Sequence, residues 1–228
     1  MLDKNVIIWD LDNTLYRITP EFSHKLDETM ARVIIEKLGL DLDFKTALEK
    51  VKEGFAKYRD GGELFYRDHH VSIEDFYRAY HEHVPYEDIV PYEGLYDILK
   101  NLPVEQYIFT YSSRSLAEKI LKKLGLFEIF NGRFYSVEDF GHYKKNESSD
   151  VYYDLCKKIK HLPKDCIFVD DSYSNLEFAK EAGMTTVRLF YNTNSSKDKT
   201  YIDHAYNGIF AFLEDYMLKN NIKKEQAS

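Results

Sequence analysis

The sequence predicts an α/β protein: a parallel sheet with helices on both faces, interrupted near its start by an all-helical insertion. Three observations predict it. Short apolar runs bounded by turn residues recur at 6–9, 107–110, 166–169 and 185–189, with a further run at 133–136. Each is too short for a stable helix and rich in β-branched or aromatic residues, which reads as a buried strand. Between these runs, apolar residues return at helical spacing in 116–124, 151–159, 176–182 and 209–218. Strands that alternate with helices in this way build parallel sheets. The third observation is a stretch from about 16 to 90 with helical patterns and no strand pattern.

The elements justify themselves in order. The first strand is Val6-Ile7-Ile8-Trp9, four apolar residues in a row, as expected of a strand covered on both faces. The insertion follows at once. Phe22, Leu26, Met30, Val33, Ile34 and Leu38 share one helical face, and Gly39 stops it. Phe44, Leu48, Val51 and Phe55 repeat the pattern, and Gly61-Gly62 punctuates it. Ser72, with Asp75 three residues on, has the form of a helix N-cap ahead of Phe76, Tyr77 and Tyr80. Pro85 and Pro91 mark the return to the sheet. The expected organisation is a core of 1–15 and 91–218, a helical cap domain of 16–90 and a flexible polar tail of 219–228. An insertion that leaves the sheet directly after its first strand is expected over the strand ends, where a lid would lie.

Bulk composition narrows the function. With 228 residues and a hydrophobic fraction of 44% the chain can bury a full core. A net charge of −8 argues against a nucleic-acid polymer as partner and leaves a small phosphorylated ligand open. Cys156 and Cys166 lie in apolar segments without metal-type spacing, so two buried free thiols are expected. The chain begins almost directly in a strand and holds no apolar run long enough to span a bilayer. A cytoplasmic location follows as the default, with oligomeric state left open. His69-His70 and His81-x-His83 lack the spacing that puts two imidazoles on one helical face, so they are not expected to chelate a metal.

Chemistry concentrates where strands end, the place where parallel sheets bind ligands. Asp10-Leu11-Asp12-Asn13-Thr14 follows the first strand. Two carboxylates two positions apart after a buried strand suit hydrolysis of a phosphomonoester. Asp10 would attack phosphorus to give an aspartyl phosphate, and Asp12 would pass the proton to the leaving oxygen and take one from water. Thr110 ends the second strand, where its hydroxyl and the amide of Tyr111 can bind phosphate oxygens, with Ser112 or Ser113 capping the next helix. Lys144-Lys145 offers a cation to sit between nucleophile and phosphate, without deciding which lysine does so. Asp170-Asp171-Ser172, with Asn175, follows another buried strand. With Asp10 and the backbone carbonyl of Asp12, Asp171 can build an oxygen cage for Mg²⁺, assisted by Asp170.

In this order, these four elements resemble the haloacid dehalogenase superfamily, over nearly the whole chain. The resemblance implies a Rossmann-like core and Mg²⁺-dependent phosphate transfer. It makes Asp10 the nucleophile and Asp12 the proton shuttle. It maps the family's threonine to Thr110, its lysine to Lys145 and its acidic pair to Asp170 and Asp171. The helical insertion after the first strand, Asn13-Thr14-Leu15-Tyr16, Pro85-Tyr86-Glu87 and Phe109-Thr110 are similar to the pyrimidine 5'-nucleotidase-like subgroup, which implies a small substrate such as a nucleoside 5'-monophosphate. Two of the four elements depart from that subgroup: Tyr111 and Ser112 stand where Asn and Ala are common, and Asn146 rather than proline follows Lys145. Two rival readings stay open. One is a 2-haloacid dehalogenase, which needs the first aspartate only. The other is a non-catalytic relative that binds a phosphorylated ligand or a protein.

Overall fold

The computed structural model describes residues 2, 4–142, 144–191 and 199–222. The chain divides into two compact units, Met1–Arg17 with Val90–Ser228, and Ile18–Ile89.

Among its described residues the first unit holds six strands: β1 (Val6–Trp9), β2 (Glu105–Thr110), β3 (Phe134–Ser136), β4 (Cys166–Asp170), β5 (Thr185–Phe190) and β6 (His204–Asn207). All pairings are parallel, and the spatial order is β3-β2-β1-β4-β5-β6. The chain steps outward from β1 to β2 and β3 on one side, then to β4, β5 and β6 on the other. Parallel strands bond through slanted, evenly spaced hydrogen bonds and need crossovers. Here the crossovers carry α6 (Arg114–Lys123), α7 (Phe127–Phe130), α8 (Asp150–Ile159) and α9 (Tyr173–Glu181), with α10 (Ile209–Lys219) closing the unit and α5 (Leu95–Lys100) leading into β2. Every residue of β1 is fully buried, because the central strand is covered on both faces. One side of the core packs Phe109 and Phe168 edge to face with Tyr152, at centroid distances of 5.7 and 5.3 Å, and tilted against each other at 6.5 Å. Burying each such ring contributes roughly 1.5–3 kcal/mol. Trp9 keeps its indole N–H satisfied by Gln106 (3.2 Å), whose own amide donates to the Leu99 carbonyl (2.7 Å).

The second unit is helical: α1 (Pro20–Glu36), α2 (Phe44–Tyr58), α3 (Glu63–His69) and α4 (Ile73–His83). Three of the helices begin at side-chain caps, Thr19, Asp43 and Ser72, which accept from Phe22, Thr46 and Asp75 amides. Each cap contributes about 1 kcal/mol. The unit closes on its own core of Met30, Ala31, Ile34, Ala47, Val51, Phe65, Phe76 and Tyr80.

Both cysteines are buried free thiols. No helix among the described residues is long and apolar enough to cross a membrane. At the C-terminal end, α10 runs through Lys219, and the Asn220 amide donates to the Leu2 carbonyl (2.9 Å). The rest of the expected tail, 223–228, lies outside the described residues.

Candidate active site

The strand order reverses direction at β1, and a crevice opens beyond the carboxyl ends of strands at such a point. Thr110 is the last residue of β2 and Asp170 the last of β4, the two strands that flank β1. Asp10 follows β1 directly, and its amide still donates to the Val169 carbonyl (2.8 Å). That bond fixes the Asp10 backbone to the sheet before the chain turns away.

The turn is tight. The amides of Thr14 and Leu15 both point back to the Leu11 carbonyl (3.3 and 3.0 Å), and Asn13 takes a left-handed conformation with φ 57°. Asparagine tolerates that region better than most residues. Its side-chain amide thereby reaches Asp171 Oδ2 at 2.6 Å. The Asp12 carboxylate meets three hydroxyls: Tyr16 on Oδ1 (2.6 Å), and Thr110 (3.1 Å) and Ser112 (3.0 Å) on Oδ2. The Thr110 hydroxyl also accepts from the Ser112 amide (3.0 Å).

Lys145 enters this site, and Lys144 pairs with Glu147 at 3.7 Å. The Lys145 side chain is completely buried. Its ammonium donates to Asp10 Oδ1, to Asp170 Oδ2 (3.1 Å) and to the Phe109 carbonyl (3.1 Å). Three acceptors match the three protons of an ammonium. Three rings enclose it as well, Phe109, Tyr111 and Phe168, with centroids 5.2–5.7 Å away. Burial alone would lower the Lys145 pKa, but the Asp10 and Asp170 carboxylates outweigh it and hold the ammonium above its usual range. Tyr111 turns its ring to Lys145 and donates its hydroxyl to Asn146 Oδ1 (2.9 Å). The same burial pushes the Tyr111 hydroxyl up.

Asp170 is fully buried and held on both oxygens, Oδ1 by the Ser172 amide (2.7 Å) and Oδ2 by Asn175 (3.0 Å) and Lys145. One oxygen from each of Asp10, Asp170 and Asp171 lies within 4.8 Å of the others. Burial raises the Asp10 pKa; Lys145 opposes the rise, and Asp170, Asp12 and Asp171 add to it. Enclosure and then the Asp170 charge push Asp171 up to about 7, against the pull of Asn13 and Lys145. One ammonium therefore does not balance these acids, and a cation in their midst would. The donors are carboxylates without thiolate or imidazole, a set that suits a hard divalent ion.

The structure thus brings Asp10, Asp12, Thr110, Tyr111, Lys145, Asp170 and Asp171 to the ends of three adjacent strands. Ser113, not Ser112, caps α6 by accepting from Leu116. The histidine pairs take no part in the acidic cluster; His83 bonds the Ala79 carbonyl on its own helix. Sequence reasoning left Tyr16, Asn13 and Ser112 without these roles. Asn13 and Tyr16 stood out only as part of the subgroup likeness and Ser112 only as a cap candidate, and their nearness to a strand end was the one pointer to the site.

Comparison with known proteins fits this geometry. A family model described as haloacid dehalogenase-like hydrolase matches residues 4–183. Among solved structures, a HAD family hydrolase from Deinococcus radiodurans R1 with bound phosphate and sodium aligns at 17% identity and TM-score 0.61, covering 99% of this chain and 100% of that one. The L-2-haloacid dehalogenase of Xanthobacter autotrophicus with covalently bound chloropropionic acid aligns at 12% identity and TM-score 0.60, covering 96% and 100%. A candidate beta-phosphoglucomutase from Thermotoga maritima aligns at 18% and 0.62, covering 95% and 98%. At these identities the likeness is one of fold.

Proposed function

The chain belongs to the family of haloacid dehalogenase-like hydrolases, and from that premise we propose that it is a Mg²⁺-dependent phosphomonoesterase acting on a small phosphorylated metabolite. One observation carries the reading. Asp10, Asp170 and Asp171 converge within 4.8 Å around more negative charge than Lys145 neutralises, while Asp12 stands apart on a shell of hydroxyls. A dehalogenase needs the nucleophile but neither the acidic triad nor a second carboxylate equipped for proton transfer.

In the first step an Asp10 carboxylate oxygen attacks phosphorus, the ester P–O bond breaks, and the leaving oxygen takes the proton of Asp12. In the second, water attacks the phosphorus of the aspartyl phosphate, Asp12 takes the water's proton, and Asp10 is regenerated as phosphate leaves. Lys145 holds Asp10 in place and keeps negative charge at the nucleophile tolerable in a buried site. Asp10, Asp171 and the Asp12 carbonyl, with Asp170 beside them, are the groups to hold Mg²⁺. When bound, the ion neutralises charge on the transferring phosphoryl group.

The test is phosphate release from p-nitrophenyl phosphate and a panel of pyrimidine and purine monophosphates, sugar phosphates and phosphoglycolate. Turnover should need Mg²⁺, stop in EDTA and vanish in Asp10→Asn with the fold intact. The nucleoside monophosphates probe the subgroup likeness. Halide release from a 2-haloacid in EDTA, with no phosphate released from any ester, would overturn the reading.

A further inference from the structure

Among the described residues, every protein group that hydrogen-bonds the Asp12 carboxylate is a hydroxyl. That differs from its neighbours. Asp10 is held by an ammonium, Asp170 by an ammonium and two amides, and Asp171 by an amide. Ammonium and amide N–H groups only donate, whereas a hydroxyl donates to a carboxylate and, on rotating, accepts from a carboxylic acid. A hydroxyl shell therefore suits a carboxyl group that must exist in both forms without moving its heavy atoms.

The two oxygens of Asp12 are not equivalent. Each carboxylate oxygen offers about two acceptor sites. Thr110 and Ser112 occupy both on Oδ2. Tyr16 occupies one on Oδ1, leaving its other site for a proton. Tyr16 is 2% exposed and belongs to the same tight turn as Asp12, which keeps its phenol oxygen beside Oδ1 at 2.6 Å.

We propose that Tyr16 is a positioning residue for proton transfer: its hydroxyl orients Oδ1 of Asp12 toward the leaving oxygen and stabilises the carboxylate left when the proton departs. The inference rests on the phosphomonoesterase reading. In the step concerned, the P–O bond to the leaving group breaks as Asp10 bonds phosphorus. The electron pair goes to the leaving oxygen, the Asp12 Oδ1 proton follows it, and Tyr16 donates to the resulting carboxylate throughout. Hydrogen bonds to charged groups correspond to about 10- to 100-fold in rate.

The experiment compares wild type and Tyr16→Phe by kcat/KM, which reports transfer to Asp10, on p-nitrophenyl phosphate and on an alkyl phosphate that wild type hydrolyses. An alkoxide needs the proton far more than p-nitrophenolate does. The ratio of kcat/KM for the aryl ester over the alkyl ester should rise about 10-fold or more in Tyr16→Phe. An equal loss on both esters, or no loss, overturns the proposal. Wild type that hydrolyses neither ester in Mg²⁺ refutes the phosphomonoesterase reading itself, a separate outcome. If Tyr16→Phe does not fold, Ser112→Ala removes a donor from the same carboxyl and carries the same expectation for the ratio.

Discussion

Replacing Lys145 by methionine strands two buried acids, and the cost follows from the site. Asp10 is 4% exposed and Asp170 is fully buried, and both give an oxygen to the Lys145 ammonium. Breaking a buried pair by removing one partner costs roughly 3–5 kcal/mol, because an uncompensated charge remains. The stranded pair has one escape, which is to bind a proton. At pH 7 an acid whose unfolded value is 3.8 pays about 1.36 kcal/mol for each of the intervening pH units, or about 4 kcal/mol. One shared proton suffices, so the loss should sit near 4 kcal/mol at pH 7. It should shrink to about 2 kcal/mol at pH 5, since folding then takes up a proton that is easier to find. Methionine keeps contact with Phe109, Tyr111 and Phe168, which limits any cavity term. Urea unfolding in EDTA, followed by fluorescence of the single tryptophan, Trp9, reads this unit directly. A loss below 1 kcal/mol at pH 7, or a loss that grows as pH falls, would refute the assignment of Lys145 as the counter-ion of both acids.

Two further outcomes test the fold around the site. The Asp203 carboxylate receives Lys180 on both oxygens (2.6 and 2.7 Å) and the Thr186 amide (2.9 Å), and these hold it below 3.8 despite the burial that opposes them. A depressed acid stabilises above its unfolded value and loses that contribution as pH falls through its folded value. Asp203→Asn should therefore cost about 1 kcal/mol at neutral pH, discounted for exposure, with the gap to wild type closing below pH 3.8 in chemical melts. In the helical unit, Gly54→Ala should destabilise by ~1–3 kcal/mol by circular dichroism, although alanine is the better helix former. Its Cβ would lie 2.6 Å from the Asp60 carbonyl and 3.1 Å from that of Gly61, and backbone gives way less readily than a side chain. A stabilised Gly54→Ala would show that the crossing of this helix over 60–61 is looser than drawn.

The α/β class was legible because the central strands carry unbroken apolar runs, Val6–Trp9 in β1, 107–109 in β2 and 166–169 in β4, a pattern that buried parallel strands share. β6 escaped notice for the opposite reason. His204–Asn207 is a half-exposed edge with no apolar run, so neither period nor composition marks it. α5 and α7 are short, at 6 and 4 residues, and span too few turns to show a period. At the site, the acids were readable because a carboxylate directly after a buried strand has few structural reasons to be there. The choice between Lys144 and Lys145 was not readable, since adjacent residues in a loop differ only by which way the backbone sends them. Asn13, Tyr16 and Ser112 were hidden more deeply. What they do depends on which acid lies across the crevice, and that is settled by strand order, which no local window contains.

The two acids of the first turn are given opposite company, and the difference matters more than their spacing. In the proposed mechanism Asp10 is the nucleophile and Asp12 the proton shuttle, and a nucleophile must present an ionised oxygen each time a substrate arrives. Asp10 faces an ammonium that only donates and that burial keeps from exchanging partners. A proton shuttle must cross between charged and neutral within one turnover, so a fixed cation beside it would trap it in one form. Asp12 faces three hydroxyls, each able to reverse its role by rotating a single bond. The sheet imposes this division. Residues straight after β1 look toward the buried end of β4, where Lys145 also arrives, while two residues later the tight turn has swung the chain to the end of β2, where threonine and serine stand. A pair of carboxylates two positions apart thus acquires two environments from one reversal in strand order, and on the proposed mechanism two chemistries, without any difference in the side chains themselves.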